Sequence, residues 1–313
     1  MPFTAKSGKF NASINTVELG TGDKAVKIGG ENVFPLYSFD AAIENAPKVG
    51  IEITDFGMEH EPECIKKYYE GCATLADMAK KAASMEGVDF LSFRMEGGDP
   101  NGVNKSTEEL IGELKEIADA VDLPLVVCGC KNVEKDAELF SKAAEALNGK
   151  NAVILSAKEE NYKTVGAAAG LAYKQVVGAE SAVDINLAKQ LNVLISQLGV
   201  DSKSVVMNVG TAAVGYGFEY VISTMDRVKA AALQQGDANL QMPIITPVAS
   251  EAWGVKEAMA SEADAPEWGS QEERGIDMEV ETAMAVIAAG SNAVILKHPE
   301  SIKTISGLMK ELV

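Results

Sequence analysis

Short apolar runs alternate with longer amphipathic stretches along the chain from residue 48 onward. This alternation is typical of parallel strands joined by crossover helices. Eight strands are predicted, at residues 49–54, 88–95, 125–130, 152–156, 176–179, 204–209, 243–248 and 293–296. Eight helices are predicted to follow them, at residues 63–86, 107–121, 133–147, 162–174, 185–198, 218–234, 271–289 and 301–312.

Helix start and stop signals agree with this division of the chain. Ser106 precedes a helical stretch with Glu109 three residues later, which is the pattern of an N-terminal cap. Glycines stand where four helices should end, at positions 149, 199, 236 and 290. Eight strands with eight helices can close on themselves, whereas a doubly wound open sheet usually has five or six strands and leaves edges. We therefore predict an α/β fold, a (β/α)8 TIM barrel over residues 48–313.

Residues 1–47 lie outside the repeat and are predicted to form a short N-terminal antiparallel β extension. Apolar runs at residues 10–19, 25–28 and 33–36 are separated by glycine-containing turns at 20–23 and 29–32. This extension is predicted to be a lid over the N-terminal end of the barrel, an arm that pairs with a partner chain, or both. The second alternative follows because an isolated meander this small buries little apolar surface.

The connection after the seventh strand is unusually long for a loop between a strand and a helix. It spans residues 249–269 and contains both tryptophans, Trp253 and Trp268. Loops at the C-terminal ends of barrel strands form the working face of the fold. We therefore expect this insertion to overhang that face and to contact a partner or a cofactor.

The charge of the chain limits the classes of partner. Its formal net charge is −18, and only Arg94, Arg227 and Arg274 are arginines, so we expect no binding to nucleic acid. No apolar run approaches the ~20 residues of a membrane-spanning helix. Residues 1–6 lack the features of a secretory signal. A cytoplasmic location without a membrane partner is expected.

The residues that most often bind metals do not form a recognisable motif. The cysteines are Cys64, Cys72, Cys128 and Cys130. The first two are two turns apart on a predicted helix, and the last two are predicted to point to one side of a strand. This spacing lacks the close pairing of zinc or iron–sulfur motifs, so we expect no iron–sulfur cluster in this chain. The two histidines, His60 and His298, have no partner at ligand spacing, and a surface or capping role is expected for each.

Polar residues at the predicted strand ends should surround one mouth of the barrel. They are Thr54, Asp55, Arg94, Glu96, Ser156, Glu180, Ser181, Asn208, Thr211, Thr246 and Lys297. The glycine-rich stretch at 96–102 either cradles an anion through its backbone N–H groups or simply closes a loop. Asn208 and Asp55 could hydrogen-bond a heterocycle, as pterin-binding barrels require. Lys297 could form a Schiff base in a lyase. These residues alone leave both alternatives open.

Five short motifs in the second half of the chain are more specific. They are Gly-Tyr-Gly-Phe-Glu-Tyr at 215–220, Met-Pro-Ile-Ile at 242–245, Glu-Ala-Trp at 251–253, Pro-Glu-Trp-Gly at 266–269 and Lys-His-Pro-Glu at 297–300. In this order they resemble the small subunit of the corrinoid/iron–sulfur protein of the acetyl-CoA (Wood–Ljungdahl) pathway. That subunit is equivalent to the delta subunit of the acetyl-CoA decarbonylase/synthase complex.

The resemblance implies a barrel related to pterin-dependent methyltransferases, paired as a heterodimer with a larger subunit that carries the iron–sulfur cluster and most of the corrinoid site. The heterodimer would receive a methyl group from methyltetrahydrofolate through a separate methyltransferase and pass it to acetyl-CoA synthase. This chain would be non-catalytic and would share a cobalamin-type corrinoid with the larger subunit. We predict that the corrinoid contacts Arg94, Asp99, Asn101, Asn208, Thr211 and Trp253. The alternative is an autonomous pterin-dependent methyltransferase.

Overall fold

A computed structural model describes residues 8–313 of the chain. The strands in this part are β1 (Val17–Leu19), β2 (Val26–Ile28), β3 (Lys48–Thr54), β4 (Phe90–Arg94), β5 (Leu125–Cys128), β6 (Val153–Ala157), β7 (Val176–Glu180), β8 (Val205–Asn208), β9 (Ile244–Pro247) and β10 (Ser291–Leu296). The α-helices are α1 (Glu63–Lys66), α2 (Leu75–Ala83), α3 (Thr107–Ala120), α4 (Val133–Ala146), α5 (Tyr162–Val165), α6 (Ile185–Gln197), α7 (Phe218–Leu233), α8 (Ala249–Ala252), α9 (Lys256–Met259), α10 (Gln271–Ala289) and α11 (Pro299–Leu312). Residues 1–6, on which the expectation of a missing secretory signal rests, lie outside the described residues.

The eight strands β3 to β10 form a closed parallel barrel, in which each strand pairs with the next and β10 pairs with β3. The predicted (β/α)8 TIM barrel with an N-terminal antiparallel extension is therefore confirmed. Ser106 caps α3 by accepting a hydrogen bond from the backbone N–H of Glu109, as its position before the helix predicted. Among residues 8–313, no helix has both the length and the apolar character needed to cross a membrane.

Two apolar layers explain why the strands are hydrophobic on both faces. Outward side chains such as Ile51 and Phe93 join the helices in one large buried cluster. Inward side chains such as Phe90 and Val126 form a second cluster inside the barrel. Gly50 of β3 faces the interior, where an added Cβ would lie 2.1 Å from the ring of Phe90. The missing side chain therefore gives this large ring its space.

The hairpin formed by β1 and β2 closes the N-terminal end of the barrel. Val17, Leu19 and Ile28 are fully buried and belong to the cluster inside the barrel. The hairpin is also tied to the barrel at its turn, because the backbone N–H of Gly20 donates to the carbonyl of Asn151 over 2.9 Å. These contacts support the first of the two alternatives, a lid. Pairing with a partner chain stays a prediction.

Several predicted elements differ from the structure. The prediction of a third N-terminal strand at residues 33–36 is wrong, because this segment consists of bends and turns. The single helix predicted at 63–86 is divided into α1, a 3-10 turn at Lys67–Tyr69, and α2. Gly71 has a φ of +83°, and Thr74 then starts α2 in a capping box with Asp77, so a new helix begins there. The helix predicted at 162–174 starts as α5 and continues as a π-helical segment, Gly166–Ala172.

The insertion after β9 is folded. It contains α8, α9 and a 3-10 turn at Pro266–Trp268 before α10 begins at Gln271. Arg274 of α10 holds this insertion, because its guanidinium donates to the backbone carbonyls of Glu257 and Ala260. The insertion therefore has a defined position over the C-terminal end of the barrel.

Replacement of Leu19 by Ala tests the role of the hairpin. We expect the free energy of unfolding to fall by about 2–5 kcal/mol, because the change leaves a cavity in a closed apolar interior. Glu18→Ala is the matched control, since Glu18 is exposed on the same strand, and its effect should stay within about 0.5 kcal/mol. Denaturant unfolding measures both values. Equal small effects would show that the hairpin does not seal the barrel.

Candidate functional site: the C-terminal mouth

The C-terminal mouth of the barrel holds two adjoining cavities. The first has a volume of about 290 Å³ and the second of about 370 Å³. Both are lined by Arg94, Gly129, Lys131 and Ser250, so they are two halves of one depression. Their position at the C-terminal ends of the strands is where barrel proteins place their working residues.

A buried ion pair forms the floor of the mouth. Arg94 at the end of β4 contacts one carboxylate oxygen of Glu52 on β3 through Nη2 at 2.8 Å and Nε at 3.0 Å. Burial on its own would lower the pKa of Arg94, but the adjacent Glu52 carboxylate raises it, so the guanidinium stays charged. Sequence reasoning missed Glu52, although a single acidic residue at an inward position of an apolar strand was a usable signal.

The first cavity is lined by neutral hydrogen-bonding groups and by charged side chains that include the Lys158–Glu180 ion pair. Asn208 at the end of β8 donates to the hydroxyl of Ser156 over 3.1 Å and accepts from the backbone N–H of Gly210. The hydroxyl oxygen of Thr211 is buried and has no hydrogen-bond partner in residues 8–313. Lys158 and Glu180 form an ion pair of 3.2 Å at the cavity wall. The Thr211 hydroxyl is therefore a group in the cavity lining with unused hydrogen-bonding capacity.

The second cavity contains Lys297, the residue considered for Schiff-base chemistry. Its Nζ lies 2.7 Å from a carboxylate oxygen of Glu61. Burial would lower the pKa of Lys297, but the carboxylates of Glu61 and Glu52 raise it above its ordinary value. A Schiff-base lysine must lose its proton to act as a nucleophile. The structure therefore argues against the lyase alternative.

A salt bridge spans the mouth between opposite sides of the barrel. Lys131 follows β5, and its Nζ lies 3.3 Å from the carboxylate of Glu251 in α8, which follows β9. The strand order places β5 and β9 on opposite sides of the closed barrel. We call the Lys131–Glu251 pair the strap. Both side chains are substantially exposed, so the strap closes the mouth only weakly.

The glycine-rich loop after β4 is closed by a protein carboxylate. Asp55 accepts hydrogen bonds from the backbone N–H of Gly97 and pairs with Lys105 at 3.0 Å. The backbone N–H of Gly97 therefore serves to close the loop at residues 96–102 and is not free to bind an anion. Asp55 is also engaged within the protein and does not face a ligand as the pterin alternative requires.

Asp99 and Asn101 lie farther along the same loop. Asp99 reaches the second cavity and accepts a hydrogen bond from the backbone N–H of Asn101 over 3.0 Å. Asn101 itself is exposed at the tip of the loop and lines neither cavity. The structure thus places Asp99 at the rim of the site and Asn101 outside the cavities.

Trp253 is an anchor of the insertion and is only 5% exposed. Its indole ring stacks on His298, with ring centroids 5.9 Å apart and an interplanar angle of 14°. Gly275 of α10 makes room for it, since an added Cβ would lie 2.2 Å from the indole. Trp253 also borders the second cavity. Trp268 differs from it, because it is partly exposed and lies under Lys256 and Arg274.

Cys128 and Cys130 do not point to one side, contrary to the expectation from strand alternation. The strand ends at Cys128, which packs inside the barrel, and Cys130 packs in the outer layer. Burial raises the pKa of Cys128 to about 11 and that of Cys130 to about 12, so both are thiols at neutral pH. Within residues 8–313, no group of three or more His, Cys, Asp and Glu side chains is arranged to hold a metal ion.

The predicted site residues are therefore only partly brought together. Arg94, Asn208 and Thr211 line the first cavity, while Asp99 and Trp253 border the second. Sequence reasoning missed six charged residues that line the two cavities, namely Glu52, Glu61, Lys131, Asp136, Lys158 and Glu251. Lys131, Lys158 and Glu251 lie beyond the strand ends, where the sequence gives no periodic signal.

Solved structures of dihydropteroate synthases share this barrel. The enzyme from Xanthomonas albilineans superposes with a TM-score of 0.56 at 13% sequence identity, covering 95% of this chain and 98% of that one. The enzyme from Thermus thermophilus gives a TM-score of 0.51 at 12% identity, covering 95% and 100%. At such low identity the likeness defines a class of fold, a TIM barrel of the dihydropteroate synthase shape, and nothing about activity.

The particular family follows from sequence comparison. A family model described as CO dehydrogenase/acetyl-CoA synthase delta subunit matches residues 16–306. The acetyl-CoA decarbonylase/synthase complex subunit delta 1 of Methanosarcina thermophila is 30% identical over 94% of this chain and 67% of its own length. The subunit delta of Methanothermobacter thermautotrophicus is 31% identical over 95% and 75%. The chain belongs to the CO dehydrogenase/acetyl-CoA synthase delta subunit family, and the resemblance found in its motifs is confirmed.

His298 packs against Trp253 of the insertion and makes the stability of the protein depend on pH. The ring caps α11 by accepting a hydrogen bond from the backbone N–H of Glu300 at Nδ1, which confirms the expected capping role. Its Nε2 lies 3.3 Å from a carboxylate oxygen of Glu272. Burial lowers the pKa of His298 below 6.5, and Glu272 opposes this shift. The folded protein therefore favours the neutral ring.

The stability of the protein should fall as the pH falls from about 7 to 5, because the unfolded chain binds a proton at His298 more readily than the folded chain does. We expect His298→Asn to lose part of this dependence, since Asn also caps helices but does not titrate. His60→Asn is the matched control and should keep the wild-type slope, because His60 is exposed. Urea unfolding midpoints across this pH range measure the effect. Identical slopes in all three proteins would contradict the assignment of this pH dependence to His298.

Proposed function

We propose that this chain is the smaller subunit of a heterodimeric corrinoid/iron–sulfur methyl carrier and that its barrel mouth covers the corrinoid. The carrier would take a methyl group from methyltetrahydrofolate through a separate methyltransferase and deliver it to acetyl-CoA synthase. The observation that carries this proposal is the family membership, which spans the barrel and the insertion. These relatives are named as subunits of the acetyl-CoA decarbonylase/synthase complex, and the present chain is proposed to act as a subunit in the same way.

The groups at the mouth fit a corrinoid. A corrinoid ring is broad and flat and is rimmed by amide side chains, which both donate and accept hydrogen bonds. Asn208, Ser156 and Thr211 offer neutral amide and hydroxyl groups of matching character, and the Thr211 hydroxyl lacks a partner among the described residues. When bound, the corrinoid supplies a cobalt ion that accepts and releases the methyl group.

The charged groups of the mouth are mostly neutralised within the protein. Arg94 pairs with Glu52, Lys297 with Glu61, and Lys158 with Glu180. Such a mouth can bury a neutral ligand surface without leaving isolated charges behind, which would be costly. This supports a covering role for the barrel and places no charged nucleophile beside the ligand.

The strap must open before a broad ligand can lie across both cavities. The Lys131–Glu251 pair is largely exposed, and such pairs contribute on the order of 1 kcal/mol or less. Opening therefore requires little free energy compared with what a bound ligand can contribute. After opening, the Lys131 ammonium and the Glu251 carboxylate would be available to polar groups at the edge of the ligand.

The six predicted corrinoid contacts take different proposed roles. Arg94, Asn208 and Thr211 would face the ring from below. Trp253 would act mainly by holding the insertion in place, and Asp99 and Asn101 would meet the rim. The larger subunit would supply the opposite wall and the iron–sulfur cluster. The methyltransferase and acetyl-CoA synthase would bind transiently, in the cytoplasm.

The chain purified alone should bind neither cobalt nor iron in stoichiometric amount and should not accept a methyl group. The reason is that the barrel supplies only one wall of the corrinoid site. Adding the larger subunit with its corrinoid should restore methyl acceptance, measured with labelled methyltetrahydrofolate and the methyltransferase. Metal analysis of the separate proteins is the control. Methylation of the isolated chain, or its binding of methyltetrahydrofolate, would instead favour the autonomous methyltransferase.

Substitutions in the first cavity should weaken retention of the corrinoid by the heterodimer. We expect Asn208→Ala and Thr211→Val each to speed corrinoid loss about fivefold or more, since one hydrogen bond contributes about 1 kcal/mol. Asn148→Ala is the matched control, because Asn148 is exposed in the loop after α4, at the other end of the barrel. Corrinoid absorbance after gel filtration measures retention. Unchanged retention in both variants would remove these residues from the proposed site.

A further inference from the structure

The exposed apolar side chains are concentrated on one side of the molecule. Five of the eight large apolar side chains that are exposed in residues 8–313 lie in segments at the C-terminal end of the barrel, namely Val103, Tyr216, Tyr220, Met259 and Trp268. Tyr220 is 67% exposed. A monomeric surface seldom gathers Tyr, Trp and Met in this way, whereas the centres of protein interfaces are enriched in them.

Four of these side chains belong to one continuous surface, which we call the flank. It consists of residues 215–227 and 256–268. The hydroxyl of Tyr216 donates to the carboxylate of Glu257 over 2.6 Å, which joins the loop after β8 to α9. Lys256 of α9 lies over the ring of Trp268 at 5.1 Å. The backbone carbonyl of Met259 accepts from the side chain of Gln271, so the flank is fixed to α10.

A groove runs along the exposed face of α7 within the flank. It is lined by Phe218 and Ile222 together with Glu219, Asp226 and Arg227. Glu219, Ile222 and Asp226 are spaced at three, four and seven residues, so they share one face of the helix. The groove therefore combines apolar side chains with two carboxylates and the guanidinium of Arg227.

The flank carries negative charge that the chain itself does not neutralise. Over the described part of the chain, no lysine or arginine forms an ion pair with the carboxylates of Glu219, Asp226, Glu262, Asp264 or Glu267. The flank itself contains two cations, Arg227, which lines the groove, and Lys256, which lies over the ring of Trp268, against six carboxylates. Arg and Lys side chains of a partner would find both carboxylates and exposed aromatic rings here.

We infer that the flank is a docking surface for a partner protein that presents a surface rich in arginine and lysine. A second copy of this chain does not meet that condition, because its net charge is −18. The flank continues into the mouth through Met259, which also lines the second cavity. This inference rests on the proposed function, since the partner is then one of the proteins that approach the mouth during methyl transfer.

The test measures association of the chain or its heterodimer with three proteins separately, the larger subunit, the methyltransferase and acetyl-CoA synthase. Tyr220→Ala should weaken at least one association about tenfold or more, as expected for an aromatic anchor. The double variant Glu219→Lys, Asp226→Lys should weaken the same association, and more at low salt than at high salt. Titration calorimetry or biolayer interferometry gives the dissociation constants.

Two controls separate the flank from other exposed groups. Phe39→Ala removes an aromatic ring that is 78% exposed in the N-terminal segment, and Glu116→Lys reverses an exposed charge on α3. Both should leave every association within about twofold of wild type.

If wild-type methyl transfer proceeds and no flank variant changes any association, the docking surface is overturned while the proposed function stands. If Tyr220→Ala abolishes self-association instead, a second copy is the occupant and the inference fails. Wild-type protein that associates with none of the three overturns both proposals.

Discussion

The buried ion pair between Glu52 and Arg94 divides the barrel into two parts of opposite character. Below it, the interior is apolar and closed by Val17, Leu19 and Ile28 of the hairpin. Above it lie the polar cavities of the mouth. A buried ion pair is costly to desolvate and becomes much more costly if one partner is lost. The pair therefore fixes the depth at which water and ligands can enter, and the mouth depends on it for its floor.

The insertion depends in a similar way on one stacked pair of rings. Trp253 packs between His298 and the bare backbone of Gly275, so the segment after β9 is attached at the top of the barrel. The buried carboxylate of Glu279 accepts hydrogen bonds from the backbone N–H groups of Lys297 and His298 and holds this strand end in place. A rigid base leaves the outer part of the insertion free to form the flank. The same segment thus contributes to the lining of the second cavity and to an exposed surface.

The shape of the barrel and its family give different kinds of information. The barrel resembles dihydropteroate synthases in shape at 13% sequence identity or less for several of them, and this alone assigns no chemistry. Family membership over residues 16–306 assigns the chain to delta subunits. The side chains of the mouth are consistent with that assignment, because Lys297 is held as a paired cation and Asp55 is engaged with Gly97 and Lys105. The covering role proposed for the barrel would use Asn208, which lines the first cavity, and the Thr211 hydroxyl, which has no hydrogen-bond partner among residues 8–313.

The eight strand and helix units, the caps at Ser106 and His298, and the long insertion after β9 could all be predicted from the order of residues alone. These features are local, because apolar periodicity and capping residues act within a few positions along the chain. Which inward residues meet could not be predicted in this way. Closing the barrel sets the register between strands, and this register brings Glu52 beside Arg94. The end of β5 at Cys128 separates this residue, inside the barrel, from Cys130 in the outer layer. The burial of Trp253 and the reach of Lys131 to Glu251 also follow from the folded chain, because contacts between distant segments depend on the closed geometry of all eight strands.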